Sequence, residues 1–374
     1  MTDEYTTANL TISNTSDALT DAVFDPERQL AVTIQLYFKY AVIAVAVFGT
    51  AANALVLYAL IAHSARDAKK RVINFMVINQ NSLDLCCSVL LVLSMLIEVS
   101  NVYLTGAFGY FLCAIIVNGA ATQCAVYGSI INLVALTLER YLKVVHAFWS
   151  KKNLKRWVVY TAMAFAWIGG FLTVAPASFI MSRLRNGVCV AYVESEESQQ
   201  HADTNYTLLL ILLGRIVIFF LLPLIIFIYC YGRIVVVIRR QMRVMAGHNA
   251  EGSSQMNASQ AQSKRAEWNV IKTMIIVSIA FIICLFPVNF YSVTVVVSGL
   301  TSDLWALYYP VVFLVYLNVC MNPFIYATKH EGVRQQLARL IDCRKPSVVK
   351  DAPRGSNIRA GGTGQTRTMA VAHS

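Results

Sequence analysis

The sequence predicts an all-α membrane protein: a seven-transmembrane helix bundle followed by a short amphipathic eighth helix. Three observations carry that expectation. Hydrophobic residues make up 57% of the 374 residues and charged residues only 14%, with a mean hydropathy of +0.57; a soluble domain would carry about a quarter charged residues. The apolar residues fall in runs of roughly twenty or more, the length that crosses a bilayer. Lysine and arginine gather in alternate loops between those runs. Seven runs reach spanning length, at about 35–62, 72–99, 109–143, 155–181, 206–239, 266–299 and 303–328.

Residues 1–34 are polar and acidic, with Asp3, Glu4, Asp17, Asp21, Asp25 and Glu27. Asn9 and Asn14 open glycosylation sequons there, and Asn205 opens a third before the fifth run. The first apolar run starts near residue 35 and reads as an uncleaved anchor, not a signal peptide. The loops at 63–71, 144–156 and 239–265 are basic, holding Arg66, Lys69, Lys70, Arg71, Lys151, Lys152, Lys155, Arg156, Arg239, Arg240, Arg243, Lys264 and Arg265. The 182–205 loop instead holds Glu194, Glu196, Glu197 and Asp203. Basic loops stay in the cytosol, which puts the N-terminus and all three sequons outside and the C-terminus inside. The same bias explains the net charge of +11 without a nucleic-acid partner.

Residues 244–263, rich in Ser, Gln, Ala and Gly, read as a flexible loop. In 329–344, Val333, Leu337, Leu340 and Ile341 are spaced for one apolar face, ringed by Arg334, Arg339 and Arg344. That pattern suits a helix lying on membrane lipid. Cys343 at its end reads equally as a palmitoylation site or a free thiol. Residues 345–374 form a polar tail with serines and threonines open to phosphorylation. The chain thus divides into an outer tail (1–34), a membrane domain (35–328), a surface helix (329–344) and a cytoplasmic tail (345–374).

Several spans carry polar residues that need a reason. The third run contains Asn118, Gln123, Ser129 and Asn132 and ends on Leu136-Thr-Leu-Glu-Arg-Tyr141. Such a helix belongs inside a bundle, not against lipid. Arg140 reads either as a membrane-edge arginine reaching headgroups or as a functional group. Asp84 sits in mid-span, where a carboxylate costs at least a few kcal/mol and so faces partners or water. Asn53, Ser129, Asn318 and Asn322 lie at similar depth, forming either an oxygen-rich cation pocket or a hydrogen-bonded helix junction around a protonated Asp84. Pro223, Pro287 and Pro323 each remove a backbone hydrogen bond and kink a span. Most cysteines fall inside apolar runs as small buried hydrophobes; Cys113 and Cys189 lie near loops on one side, where they can pair.

Seven runs with an outer N-terminus, Glu139-Arg140-Tyr141 and Asn322-Pro323-Phe324-Ile325-Tyr326 together resemble the rhodopsin-like (class A) G-protein-coupled receptors, over about residues 35–343. The resemblance implies a plasma-membrane receptor that binds an extracellular ligand and activates a heterotrimeric G protein. Arrestin and a receptor kinase are further implied partners, and no cofactor is implied beyond an allosteric sodium ion. Asn53, Asp84, Trp167 and Pro223 match the family's marker positions, and Ile130, Pro223 and Phe281 its apolar transmission cluster. Glu139, Arg140, Tyr141, Phe148, Tyr231, Glu267, Asn322, Pro323 and Tyr326 fall at coupling and activation positions. Asp84, Ser129, Asn318 and Asn322 match its sodium pocket, and Cys113–Cys189 its disulfide.

The chain departs from the pattern at four places. Leu285 stands where the family has a tryptophan switch, which leaves Phe281 and Phe286 as candidates for that task. Cys113 lies about two residues further from Arg140 than usual. Ala147 replaces a proline before Phe148. Thr122 and Tyr316 stand where aminergic receptors have Asp and opsins have Lys, which disfavours a monoamine and retinal as ligands.

An intramembrane hydrolase would need clustered histidine and acidic ligands. All six histidines fall in loops or tails, so an enzyme is not expected. A transporter with repeated halves is disfavoured because no internal repeat is visible. For the ligand site, Arg215 is eight residues before Pro223, about 12 Å outward at ~1.5 Å per residue. It reads as an anchor for a ligand carboxylate or phosphate, with Gln123, Thr122, Asn289 and Tyr316 as neutral hydrogen-bonding groups and Tyr308 as an aromatic wall. The alternative is an arginine reaching headgroups or paired with Glu98.

Overall fold

A computed structural model describes residues 26–66, 68–100, 102–191, 202–248, 256–298 and 305–342, with backbone alone at several helix ends. Among them, seven helical stretches are long and apolar enough to cross a membrane: Val32–Ala65, Phe75–Val99, Gly106–Val145, Arg156–Met181, Leu209–Val244, Trp268–Val295 and Leu307–Lys329. They are called the first to seventh spans below. The third span is the hub, packing against the second, fourth and fifth, while the first packs on the second and seventh, and the sixth on the seventh. The main core joins Ile130, Leu133 and Leu136 to Phe227, Tyr231, Met274, Phe281 and Tyr326.

The helices overrun the expected spans. The first is Pro26–Arg66 and the second Ala68–Val99, so the basic 63–71 stretch is almost wholly helical. Pro26 suits a helix start, where its missing N–H would be unpaired anyway. The expected flexible loop at 244–263 is also mostly helical, because the fifth-span helix runs to His248 and the sixth-span helix begins at Met256. Residues 256–265 read Met-Asn-Ala-Ser-Gln-Ala-Gln-Ser-Lys-Arg, and Ala, Gln, Met, Lys and Arg are good helix formers once an apolar span anchors one end. Ala147 opens a short helix, Ala147–Asn153, despite the absent proline.

Two local devices set the geometry of the third and fifth spans. The third is interrupted: Gly106–Leu112 continues into a π segment, Cys113–Val117, and resumes as Ala120–Val145 after Asn118 and Gly119. Gly119 has φ +71°, a conformation that favours glycine. The wide π turn and this break absorb the extra spacing between Cys113 and Arg140. In the fifth, Pro223 has no N–H to give, and a π segment, Val217–Leu221, precedes it. The third and fourth spans approach through glycines: a Cβ on Gly170 would collide with the Cys124 carbonyl oxygen.

At one end of the bundle, strands β1 (Ser182–Arg185) and β2 (Val188–Ala191) form an antiparallel hairpin, with Leu184 opposite Cys189. Its two turn residues, Asn186 and Gly187, have φ 50° and 77°, as a type I′ turn requires. Cys113 and Cys189 are disulfide-bonded with Cα atoms 5.4 Å apart, tying this hairpin to the third span. At the opposite end, where Arg140 lies, the eighth helix is Glu331–Asp342. It packs on the first helix and does not merely rest on lipid: Val333 is fully buried, and a Cβ on Gly332 would lie 2.7 Å from the His63 ring.

Candidate functional site

A cavity of about 640 Å³ opens at the disulfide end of the bundle. All six residues expected around a ligand line it: Arg215, Gln123, Thr122, Asn289, Tyr316 and Tyr308. The Arg215 guanidinium donates from Nε to Tyr127 Oη at 2.9 Å and from a terminal nitrogen to Gln123 Oε1 at 2.6 Å. Its centre lies 5.1 Å from the Tyr127 ring centroid. An inserted π residue rotates the helix before it by about 100° relative to an unbroken α-helix. That rotation sets which way Arg215 faces. Glu98 is not its partner; Lys39 Nζ holds Glu98 at 2.7 Å on another wall. Asn289 donates one amide N–H to Leu285 O at 2.7 Å, leaving its carbonyl oxygen and second N–H to offer a ligand. Tyr316 is mostly enclosed beside Val42 and Leu91, and Tyr308 stacks edge-on with Tyr309. Leu285 lines the cavity next to Phe220.

Beneath the cavity lies a buried polar network. Ser129 Oγ donates to Asp84 Oδ1 at 2.9 Å, and Asn322 Nδ2 to Asp84 Oδ2 at 2.7 Å. Gln80 donates to Ser129. Asn132 donates to Gln80 Oε1 at 2.8 Å and to the Met76 carbonyl at 3.0 Å. Asn79 donates to Asn132 Oδ1 at 2.8 Å, and Trp167 Nε1 to Asn79 Oδ1 at 3.0 Å. The expected sodium set is thus brought together in part. Asn318 is only half-buried, and no described hydrogen bond joins it to Asp84; Asn53 gives its amide to the Val319 carbonyl instead, at 3.1 Å. Among the described residues no three His, Cys, Asp or Glu side chains cluster as metal ligands. One carboxylate among neutral oxygens fits a hard monovalent cation better than zinc.

At the far end of the third span, Arg140 is buried, not snorkelling. Its Nε lies 3.2 Å from Glu139 Oε2, and Lys143 holds the other oxygen of the same carboxylate. Tyr231 bonds Thr137 at 3.0 Å and accepts from Ser278 at 3.3 Å. Tyr326 is fully buried near His330, and Ile130 and Phe281 both sit in the main core. Pro223 is buried as well. Phe281 meets Phe227 edge-on at 5.9 Å, whereas Phe286 is 53% exposed on the outer face of the sixth span. Phe281 is thus a core residue, whereas Phe286 faces outward with its ring 6.3 Å from that of Phe220. Tyr141 contacts His146 through its hydroxyl at 3.3 Å. Phe148 is 92% exposed on the short helix, open to a partner. Asn9, Asn14, Cys343 and the side chains of Asn205 and Glu267 lie outside the described residues.

Five residues here were not singled out as site residues from sequence: Tyr127, Lys39, Lys143, Gln80 and Asn79. The polar run Asn79-Gln80-Asn81 was a visible signal, since three amides in a membrane span need partners. Tyr127 carried none, because an aromatic in an apolar run is ordinarily core.

A seven-span bundle with a cavity at its disulfide end and a buried Glu-Arg pair at the other has the architecture of a membrane receptor. The family described as 7 transmembrane receptor (rhodopsin family) matches residues 52–326, and the chain belongs to it. That family is one of receptors, not enzymes. Among similar proteins, somatostatin receptor type 3 of Mus musculus is 25% identical over 299 residues, covering 79% of this chain and 66% of the mouse protein. The chain thus spans just under two thirds of that receptor's own length. Somatostatin receptor type 5 of Rattus norvegicus is 27% identical over 311 residues, covering 81% of this chain and 77% of the rat protein. Melatonin receptor type 1B of Gallus gallus is 25% identical, covering 60% and 72% respectively. Squid rhodopsin matches in structure with a TM-score of 0.63 at 16% identity, over 82% of this chain and 85% of that one.

Proposed function

We propose that the chain is a plasma-membrane receptor whose cavity takes a ligand with an acidic or carbonyl-rich group, a peptide or a small molecule, and whose Arg140 end activates a heterotrimeric G protein. The observation that carries this reading is Arg215, held at the cavity wall by Tyr127 and Gln123. A guanidinium so oriented still offers N–H groups for two-pronged recognition of a carboxylate or carbonyl pair. The basic loops support a cytosolic Arg140 end and a disulfide end facing outside, with Asn9, Asn14 and Asn205 glycosylated there. Glu139, Arg140, Tyr141, Phe148 and the buried Tyr231–Tyr326 region carry the coupling. Asp84, Ser129 and Asn322 hold a sodium ion that favours the resting state, supplying positive charge against the carboxylate. The test is guanine-nucleotide exchange in membranes expressing the chain, against a panel of peptides and small acids. An agonist from that panel supports the reading, and exchange driven only by cationic amines lacking acceptors overturns it.

A further inference from the structure

The hydrogen bonds below the cavity run in one direction. Trp167 Nε1 can only donate, and the ionised Asp84 carboxylate that a cation requires can only accept. Between them lie three side-chain amides and one hydroxyl, each able to face either way. The two ends remove that freedom. Because Trp167 donates to Asn79, Asn79 must turn its oxygen to the ring and its nitrogen to Asn132. Asn132 then donates to Gln80, Gln80 to Ser129, and Ser129 to Asp84. Every hydrogen in the relay points toward Asp84. A chain of aligned donors polarises each successive bond and strengthens the last.

Gln80 is the member that transmits this order to the pocket. It is buried, its oxygen is taken by Asn132, and its amide nitrogen reaches both Ser129 and the Asp84 carboxylate. With one Ser129 lone pair occupied by Gln80 and its hydrogen committed to Asp84, one lone pair remains for a third partner. Without Gln80, the hydroxyl is free to rotate and to donate elsewhere. We propose that Gln80 is a positioning residue for a cation at Asp84: it holds the Ser129 hydroxyl and the Asp84 carboxylate in the orientation that presents both oxygens to one ion. The inference rests on the sodium reading given above and extends it to a residue outside the ion's own ligands.

The experiment is thermal melting of the purified full-length protein as sodium replaces choline at constant ionic strength. An ion that binds only the folded state raises the melting temperature with a definable midpoint. Losing one orienting hydrogen bond is expected to move that midpoint up about three- to tenfold in Gln80→Leu. Gln80→Asn, one methylene too short to reach both partners, is expected to move it the same way and serves if the leucine variant does not fold. Trp167→Phe, which frees the distal end of the relay, is expected to move the midpoint the same way but by less than the Gln80 variants, because Asn79 loses the donor that fixes its orientation. A Gln80 variant that melts lower but keeps the parent midpoint shows a merely structural residue and overturns the inference alone. A parent that sodium does not stabilise, or a response that survives Asp84→Asn, overturns the sodium reading itself and the inference with it.

Discussion

Arg215 shows how much one side chain decides. An arginine in an apolar span is costly unless something receives it, and here Tyr127 and Gln123 do so on the cavity side. Arg215→Ala removes a charge-assisted contact, worth roughly 10- to 100-fold in agonist potency if the ligand uses it. Arg215→Lys should recover part of that, since a point charge lacks the planar fork. Potency measured at matched surface expression checks this, and no loss in Arg215→Ala would make the arginine a helix anchor only. Leu285 is the second deciding residue. It is buried at the cavity and lies one helical turn from Phe281. Leu285→Trp adds volume at the cavity wall and against the buried core beside it and should shift basal or agonist-driven exchange, whereas Leu285→Ile should change little. Parent-like exchange in both variants would remove this position from the switch.

Single elements carry the next two predictions. The eighth helix is capped by His330, whose Nδ1 accepts from Val333 N at 3.4 Å. Burial, with His63 and Arg140 nearby, pushes the His330 imidazole down from 6.5 to about 4. The folded state therefore resists protonation that the unfolded chain accepts below pH 6.5, so this contribution is complete above that pH and is lost as pH falls toward 4. His330→Asn keeps an acceptor and cannot titrate. The parent should lose up to ~3 kcal/mol more than this variant between pH 6.5 and 4, from about 1.4 kcal/mol per pH unit. Melting curves at both pH values give the comparison; parallel losses would mean that other groups dominate. The third span offers the other test. Glu139 is shared between Arg140 and Lys143 at its end. If Glu267 adds a second carboxylate from the foot of the sixth span, Glu267→Ala should raise basal exchange, by breaking a restraint worth ~1–3 kcal/mol. Unchanged basal exchange at equal expression counts against that restraint.

At the scale of the whole molecule, the polar network links the two ends. Asp84 receives the third span through Ser129 and the seventh through Asn322, midway between the cavity and Arg140. A cation there would hold those spans in one arrangement and disfavour any other. Agonist affinity should then fall as sodium rises, and Asp84→Asn should abolish the dependence. Radioligand competition at several sodium concentrations reads this directly, and a sodium effect retained in Asp84→Asn would sink the pocket. The family match over residues 52–326 encompasses all of this machinery.

Length and composition alone determined the class of fold. Seven apolar runs in a chain with so few charges leave backbone groups no partners but their own helix, and loop charge implies which end faces the cytosol. The membrane position of Arg215 and Asp84 was equally legible, because a charge in an apolar run stands out whatever surrounds it. The Asn186-Gly187 hairpin is legible too, as a two-residue turn signal. Direction around each helix was not legible. The sixth span is apolar on all sides, so periodicity does not tell buried Phe281 from lipid-facing Phe286. Nor could a count of residues show Cys113 reaching Cys189, since the π segment and the Gly119 break that absorb the extra length depend on what packs beside them. The relay from Trp167 to Asp84 belongs wholly to tertiary structure. An amide in a span must find a partner, but only the packing of the second, third and fourth spans decides which one, because that choice is made between helices and not along them.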